Sequence, residues 1–545
     1  ATDPADQIMR QEVIHAADGI CQLLQQLEEQ LTSMENDIRN AIDTCVDEVN
    51  ELAKEVADLN TEIKRVETKG VEASSLKDRR DQIITQLAEM LNVTAHEAGF
   101  GAVNVSISGT LLVNEGHSIT LESRQGAEGI VIAREGSVGH ITNVREGRIA
   151  GLLESVNTFV GNARSTLDEV AAAFRRAINR VHTTALGLGG RFHDLRGLNP
   201  FNTSTPFSDT GYGVTAGANE KLYINVEDEA TCDITQYELT CDTTQDSDVF
   251  LVNLQNDINA LVPNVTATIQ DDRLVLTAAA GFAFGFATPY DPNPAQPGDI
   301  TAVPPTTPEI VDAYEGDLDL QYDFSFLNGG TVGTDTIDIQ IDVHEPAGPV
   351  LRTLTRTIDA TYSAGDPIVL ENGLKFTLGD GGVNAGDSFS VTARAEMDTA
   401  GVLDALGLNV FMNGTGAFSI HVVDRVMQDP GALACALSET TGDNHRLLDM
   451  LEVRDQKLLA SGTATLHDYY RSLLGDIGTT KVARSIHHEN MQDVVQQLEN
   501  RRDAASGVSV EEEMIALMRV QRIYQGAVKY ISSIDGSLGS LLELV

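Results

Sequence analysis

Tryptophan is absent from the 545 residues, and Phe and Tyr bring the aromatic share only to 5%. Sugar-stacking sites and cages for cationic ligands are built from such rings, so both classes lose support. Basic residues are also scarce. Lys plus Arg total 37 against 81 Asp plus Glu, a net charge of −44, and that field repels phosphate backbones and anionic lipid surfaces. Neither nucleic acid nor membrane is expected as a partner. No run of about 18 apolar residues occurs, and Ala1-Thr2-Asp3-Pro4 does not read as a secretory signal. The five cysteines (Cys21, Cys45, Cys232, Cys241, Cys435) include no CxxC and are too scattered for a disulfide scaffold or a zinc site. Cys232 and Cys241 alone are spaced to face each other across a hairpin.

Chemistry is missing in the same way. His487-His488-Glu489 falls in a helical stretch, where adjacent side chains diverge by about 100° and cannot share a metal as an i, i+4 pair does. His96-Glu97 lacks a second His four residues on. His182, ending a helix, suits a favourable charge at the C-terminal pole of the dipole. The Gly-rich run Gly379 to Asp387 has neither the Lys nor the following helix of a phosphate loop and reads as a hairpin turn. Asp317-Leu318-Asp319 lacks the spacing of an EF-hand. No catalytic residue, metal site or cofactor is expected.

What the chain does have is helical period at both ends and strand period in the middle. From Ile20, apolar residues recur at steps of four and three through Leu24, Leu27, Leu31, Met34, Ile38, Ala41, Cys45, Val49, Leu52, Val56, Leu59 and Ile63 to Val66. That spacing predicts a rod-like helix roughly 70 Å long, mostly intramolecular core. Gly70 breaks it, and Ser74 or Ser75 can cap a second helix. Period-two segments follow, and then a return helix through Val156, Val160, Leu167 and Phe174. The expected class is therefore α+β and multidomain, a coiled-coil-like helical bundle from both chain ends with inserted β-rich domains. The boundaries expected are a rod at 1–92, a small β insert at 93–147, the return helix at 148–186, an outer lobe at 187–300 containing a β-α-β unit over 218–281, a second lobe at 301–427, rod again at 428–505, and a terminal helix at 506–545.

The terminal helix carries the last pattern. Val510, Met514, Leu517, Gln521, Tyr524, Val528, Ile531, Asp535, Leu538, Leu542 and Val545 keep the four-three step, with polar Gln521 and Asp535 on the seam, and Ser509 with Glu512 forms a capping box. Nine of these form the candidate assembly interface: Val510, Met514, Leu517, Gln521, Tyr524, Val528, Ile531, Leu538 and Leu542.

The same segment carries a resemblance. Gly507-Val508-Ser509-Val510-Glu511-Glu512-Glu513-Met514, followed by Gln521, Tyr524-Gln525, Ala527 and Ile531-Ser532, is similar to the C-terminal signature of axial proteins of the bacterial flagellum. The form S-G-V-x-x-x-E-E-M most resembles the hook-associated junction family. Leu76-Lys77-Asp78-Arg79-Arg80-Asp81 with Leu87, Val103 to Val113, and Gly147 to Val160 resemble its L-x-D-x-R-D helix, its β insert and its return helix, in order. The resemblance implies an extracellular structural adaptor between hook and filament, exported through the flagellar type III route without a cleaved signal peptide. Its implied partners are itself in a ring or tube, the hook protein, a second junction protein or the filament, and an export chaperone. It also implies that the chain starts downstream of an N-terminal helical region that pairs with the terminal helix. A flagellin or hook-like axial subunit, and an extracellular adhesin with β lobes on a helical stalk, are the alternatives.

Overall fold

The computed structural model describes residues 4–127, 129–287, 298–310, 314, 316, 318–437, 442–506 and 510–542; the side chains of 503, 505, 506, 510, 512, 513 and 535–542 lie outside it. Two compact units result, residues 1–467 and 468–545. The α+β class holds, with long helices at both ends and β lobes between them.

Helix α1 (Gln7–Glu67) begins earlier than the apolar repeat suggests, because the Asp6 carboxylate caps it by accepting the Ile8 N–H at 2.8 Å. It spans 61 residues, about 90 Å at 1.5 Å per residue. Gly70, at φ 77°, then turns the chain into a conformation that L side chains avoid. Helix α2 (Ser74–Met90) starts on Ala73 without a side-chain cap, so neither Ser74 nor Ser75 caps it. An antiparallel four-stranded meander (Val93–Glu97, Val103–Ile107, Thr110–Asn114, His117–Ser118) and a hairpin (Leu121–Gly126, Gly129–Arg134) follow. Their inner faces do not close on each other. Val105, Val113, Ile130 and Ile132 pack with Val49, Ala53 and Val56 of α1 and Leu87 of α2 in one core. Asn60, 1% exposed, accepts the Val103 N–H and donates to the Val103 and Glu115 carbonyls, so the insert is hydrogen-bonded to the rod.

The return runs through α3 (Gly147–Glu154), a π-helical stretch (Ser155–Val160) and α4 (Gly161–Thr183). At Gly147 a Cβ would lie 2.5 Å from the Met90 backbone, which explains a glycine where the return helix crosses the end of α2.

Two outer lobes follow. The first holds the sheets Val265–Gln270/Arg273–Ala278/Asp194–Arg196 and Phe282–Gly285/Glu220–Asp228/Asp233–Cys241 around α5 (Ser247–Leu261). A hairpin on each side of α5 makes this a ββαββ motif, one strand richer at each end than the β-α-β unit expected. The register pairs Cys241 with Glu220, while Cys232 sits exposed in the turn beyond Asp228, so the two thiols do not meet and both are free. The second lobe sets the sheet Val350–Ile358/Ile337–His344/Leu320–Phe326/Ser388–Ala393 against Pro308–Ile310/Lys375–Leu378/Ile368–Val369. Strict alternation buries Leu320, Tyr322, Phe324 and Phe326 on one face. The Gly-rich run 379–387 joins strands of these two different sheets, and so is a crossover and not a hairpin turn.

The chain re-enters the rod through α6 (Val402–Leu406), α7 (Asp424–Gln428) and α8 (His445–Glu452). Met412, Ile420, Val423 and Val426 pack there on Ile14, Cys21 and Leu24 of α1 and Ile178 of α4. The remaining helices are α9 (Leu466–Ser506) and α10 (Val510–Leu542).

Candidate assembly interface

Helix α10 carries all nine sequence-designated interface residues. Among its described side chains none is buried: Met514 is 60% exposed, Leu517 59%, Tyr524 70% and Ile531 62%, with Gln521 and Val528 also exposed. The side chains of Val510, Leu538 and Leu542, and Ser509 of the capping box, fall outside the described residues. At 100° per residue, Met514, Leu517, Gln521, Tyr524, Val528 and Ile531 lie within an arc of about 100°, the width of a two-helix seam.

The four-three template missed half of the apolar surface. Met518, Val520, Ile523, Tyr530 and Ile534 are exposed as well, and they widen the arc to roughly 240°. The remaining third holds Arg519, Arg522, Lys529 and Glu511, with Ile515 among them. One partner helix covers a stripe of about 100°; an arc more than twice as wide calls for cover from two or more sides. That signal was present in the sequence, but a heptad template tests one stripe at a time. Within the same unit, α9 also exposes Tyr470, Leu474, Val482, Ile486, Val495 and Leu498.

The rod has a second unburied stripe. On α1 the face Arg10, Ile14, Ala17, Cys21, Leu24 and Glu28 is buried, whereas Met9, Val13 and Ile20 are exposed along its flank and Ile8 and Leu23 on the far side, Ile8 70% and Leu23 57% exposed. Ile20, read from sequence as the first seam residue, therefore faces out. Later members Cys45, Val49, Val56, Leu59 and Ile63 face the core as expected.

The rod-to-lobe junction is held by buried polar groups. Arg175 of α4, fully buried, donates to Asp404 of α6 at 2.6 Å and to the Tyr212 carbonyl at 2.8 Å. Asn179, one turn on, donates to the same carboxylate at 2.6 Å and to the Met412 carbonyl, and accepts the N–H groups of Phe411 and Met412. Burial pushes the Asp404 carboxyl up to about 6 against the pull of Arg175. His182 is not the surface charge its helix-end position suggested. It is fully buried; Nδ1 donates to the Asn409 carbonyl at 2.7 Å and Nε2 accepts the Ala434 N–H at 2.9 Å, which fixes a neutral ring. Burial pushes it down to about 3.

The folded state resists a proton that the unfolded chain takes up below about pH 6.5, so stability present above that pH is lost on acidification toward 3. The stability advantage of the native protein over His182→Gln is expected to shrink by about 1.4 kcal/mol per pH unit below 6.5. Urea unfolding of both proteins at pH 7.5, 6 and 5 measures this; a constant gap would place the proton elsewhere. Taking the difference cancels Asp404, whose raised value acts in the opposite sense in both proteins.

Among the described residues no group of three or more His, Cys, Asp or Glu is placed to hold a metal ion, and no helix is long and apolar enough to cross a membrane.

Residues 1–194 match the helical domain of the flagellar hook-associated protein FlgK, and residues 502–544 match the C-terminal part of the flagellar basal body rod FlgEFG proteins. Over 558 aligned residues, covering 100% of this chain and 77% of the relative, it is 22% identical to flagellar hook-associated protein 1 of Escherichia coli K12. The Salmonella typhimurium protein of the same name is 25% identical over 257 residues, 45% of each chain. The flagellar hook junction protein FlgK from Burkholderia pseudomallei aligns with 93% of this chain and 90% of its own at a TM-score of 0.48 and 15% identity. Both ends of the chain are thus similar to flagellar axial proteins, the first part to FlgK and the terminal helix to the FlgEFG proteins. Across its whole length the chain is similar to flagellar hook-associated protein 1, and its first 194 residues carry that protein's helical-domain pattern.

Proposed function

We propose that this protein is the structural, non-catalytic adaptor that joins hook to filament at the outer end of the flagellar hook. The observation that carries the reading is α10, where a FlgEFG-type axial sequence sits on a helix whose apolar arc is too wide for one partner. In this reading, neighbouring copies in a ring or tube supply part of the cover. The hook protein on one side and a second junction protein or the filament on the other supply the rest, and Val510, Met514, Leu517, Gln521, Tyr524, Val528, Ile531, Leu538 and Leu542 form the seam. Before assembly the same surface requires a cover in the cytoplasm, the role of an export chaperone; the chain leaves by the flagellar type III route without losing a signal peptide. The acidic, well-solvated lobes stay outside the seam and keep the surface soluble.

Deletion of the gene tests the reading. Cells without the protein are expected to build hooks of normal length and to shed filament subunit into the medium, seen by electron microscopy of cells and immunoblot of the supernatant. Filaments of normal length on such cells would refute it.

A further inference from the structure

The outer lobes have separate cores, and no strand of one pairs with a strand of the other among the described residues. The chain crosses between them twice, and the return crossing is short. Ala393 closes the strand Ser388–Ala393 of the second lobe. At the sheet edge of the first lobe, Tyr223 donates its N–H to the Met397 carbonyl at 2.9 Å, and Thr399 donates to the Lys221 carbonyl at 3.0 Å. Arg394, Ala395 and Glu396 alone carry the backbone from one sheet to the next.

Arg394 touches both sides. Its Nη1 donates to Asp319 of the second lobe at 3.2 Å, and Nη2 lies 3.9 Å from Glu238 of the first. The guanidinium carbon stands 4.8 Å from the centre of the Tyr223 ring, also in the first lobe. The receiving groups are themselves held. Lys221 Nζ lies 2.6 Å from Glu238, the Tyr223 hydroxyl donates to the same carboxylate at 3.3 Å, and Asp319 accepts the Ala395 N–H at 2.9 Å. Two residues on, Glu396 pairs with Arg180 of α4. A planar guanidinium that stacks on one lobe and bonds a carboxylate of the other fixes an angle as well as a distance, which a single lysine would not.

We infer that the return crossing is a charge-latched hinge, in which Arg394 holds the second lobe at one angle to the first and its release lets that lobe swing about residues 394–396 with both cores intact. A short segment of this kind absorbs backbone rotation at little cost once its cross-links are gone. The latch is open to screening, because the Arg394 side chain is 17% exposed while Asp319 and Glu238 are 36% and 42% exposed. The lobe angle is therefore set by ionic strength as well as by sequence.

The native thiols make the test practical. Cys232, in the turn of the first lobe, is the one exposed cysteine, the other four being buried. With Ser363→Cys in an exposed loop of the second lobe, the full chain takes two spin labels whose separation is read by pulsed electron resonance. At low salt a single narrow distance distribution is expected. Arg394→Met, and independently Asp319→Asn, should roughly double its width while both lobes keep their urea midpoints, and about 1 M NaCl should broaden the unsubstituted latch. A width unchanged in both variants overturns the hinge, as does broadening that appears only together with loss of the second lobe's unfolding transition.

Discussion

Met514→Asp or Leu517→Asp is expected to abolish incorporation of the protein into the flagellar axis while both β lobes keep their native stability. Each of these side chains contributes about 1.5–3 kcal/mol when an assembled neighbour removes it from water. An aspartate in the same place adds the larger cost of an unpaired carboxylate in an apolar contact. In the proposed ring the seam recurs at every joint, so a defect tolerable in one dimer prevents closure of the whole. In this chain both positions are exposed, so the lobes have no reason to notice the change. Arg522→Gln, at the centre of the basic face of α10, is the matched control and should assemble. Immunoblots of purified hook–filament preparations, alongside urea unfolding of each variant, separate the outcomes; wild-type amounts of Met514→Asp in the preparations would remove α10 from the interface.

The wide arc also bears on the alternative axial readings. A seam of only Met514, Leu517, Gln521, Tyr524, Val528 and Ile531 would suit a two-helix pair made once. The additional exposed Met518, Val520, Ile523, Tyr530 and Ile534 suit the proposed tube, in which cover would come from several sides. The second stripe on α1, from Ile8 to Leu23, points the same way for the rod. Mutation to lysine at Val520 or Ile523 thus reports on contacts that a two-helix seam does not contain.

Local pattern explains what sequence reading reached. The heptad from Cys45 to Ile63 is core because the β insert and α2 close over it, and the four-three step encodes that face directly. The alternation in Leu320–Phe326 and Ile337–His344 encodes the second lobe equally well. Failures occur where the deciding partner is distant. Cys232 and Cys241 have hairpin spacing, but the register of the strands places Glu220 opposite Cys241. His182 looked like a helix-end charge because its acceptor, Asn409, and its donor, Ala434, lie more than two hundred residues away. Arg175, Asn179 and Asp404 read individually as ordinary polar residues. Only the return of the chain past the lobes brings them together. The latch residue Arg394 gave no sequence signal either, since its partners Asp319 and Glu238 are two acids among 81.

That buried network carries the largest expected effect on folding. Asp404→Ala leaves Arg175 without its charge partner at a site with no solvent, and Arg175 Nε already lacks a hydrogen-bond partner. Removal of one member of a buried pair costs about 3–5 kcal/mol, because the remaining ion is neither hydrated nor compensated. Asn179 loses one of its four hydrogen bonds at the same time. Replacing both ions, as in Arg175→Met with Asp404→Leu, removes the desolvation problem along with the attraction, so the double variant should be more stable than Asp404→Ala despite carrying more changes. Urea unfolding of both variants and of Arg175→Met decides the matter, and losses that simply add would show that the two charges do not act as a pair. The placement of the network between α4, α6 and the segment at Met412 gives the loss a structural address. Its failure should loosen the lobes from the rod before it reaches the core of the β insert, which shares none of these residues. Hydrogen exchange on Asp404→Ala should accordingly rise first at Phe411 and Met412, whose N–H groups Asn179 holds, while Val105 and Val113 keep their protection.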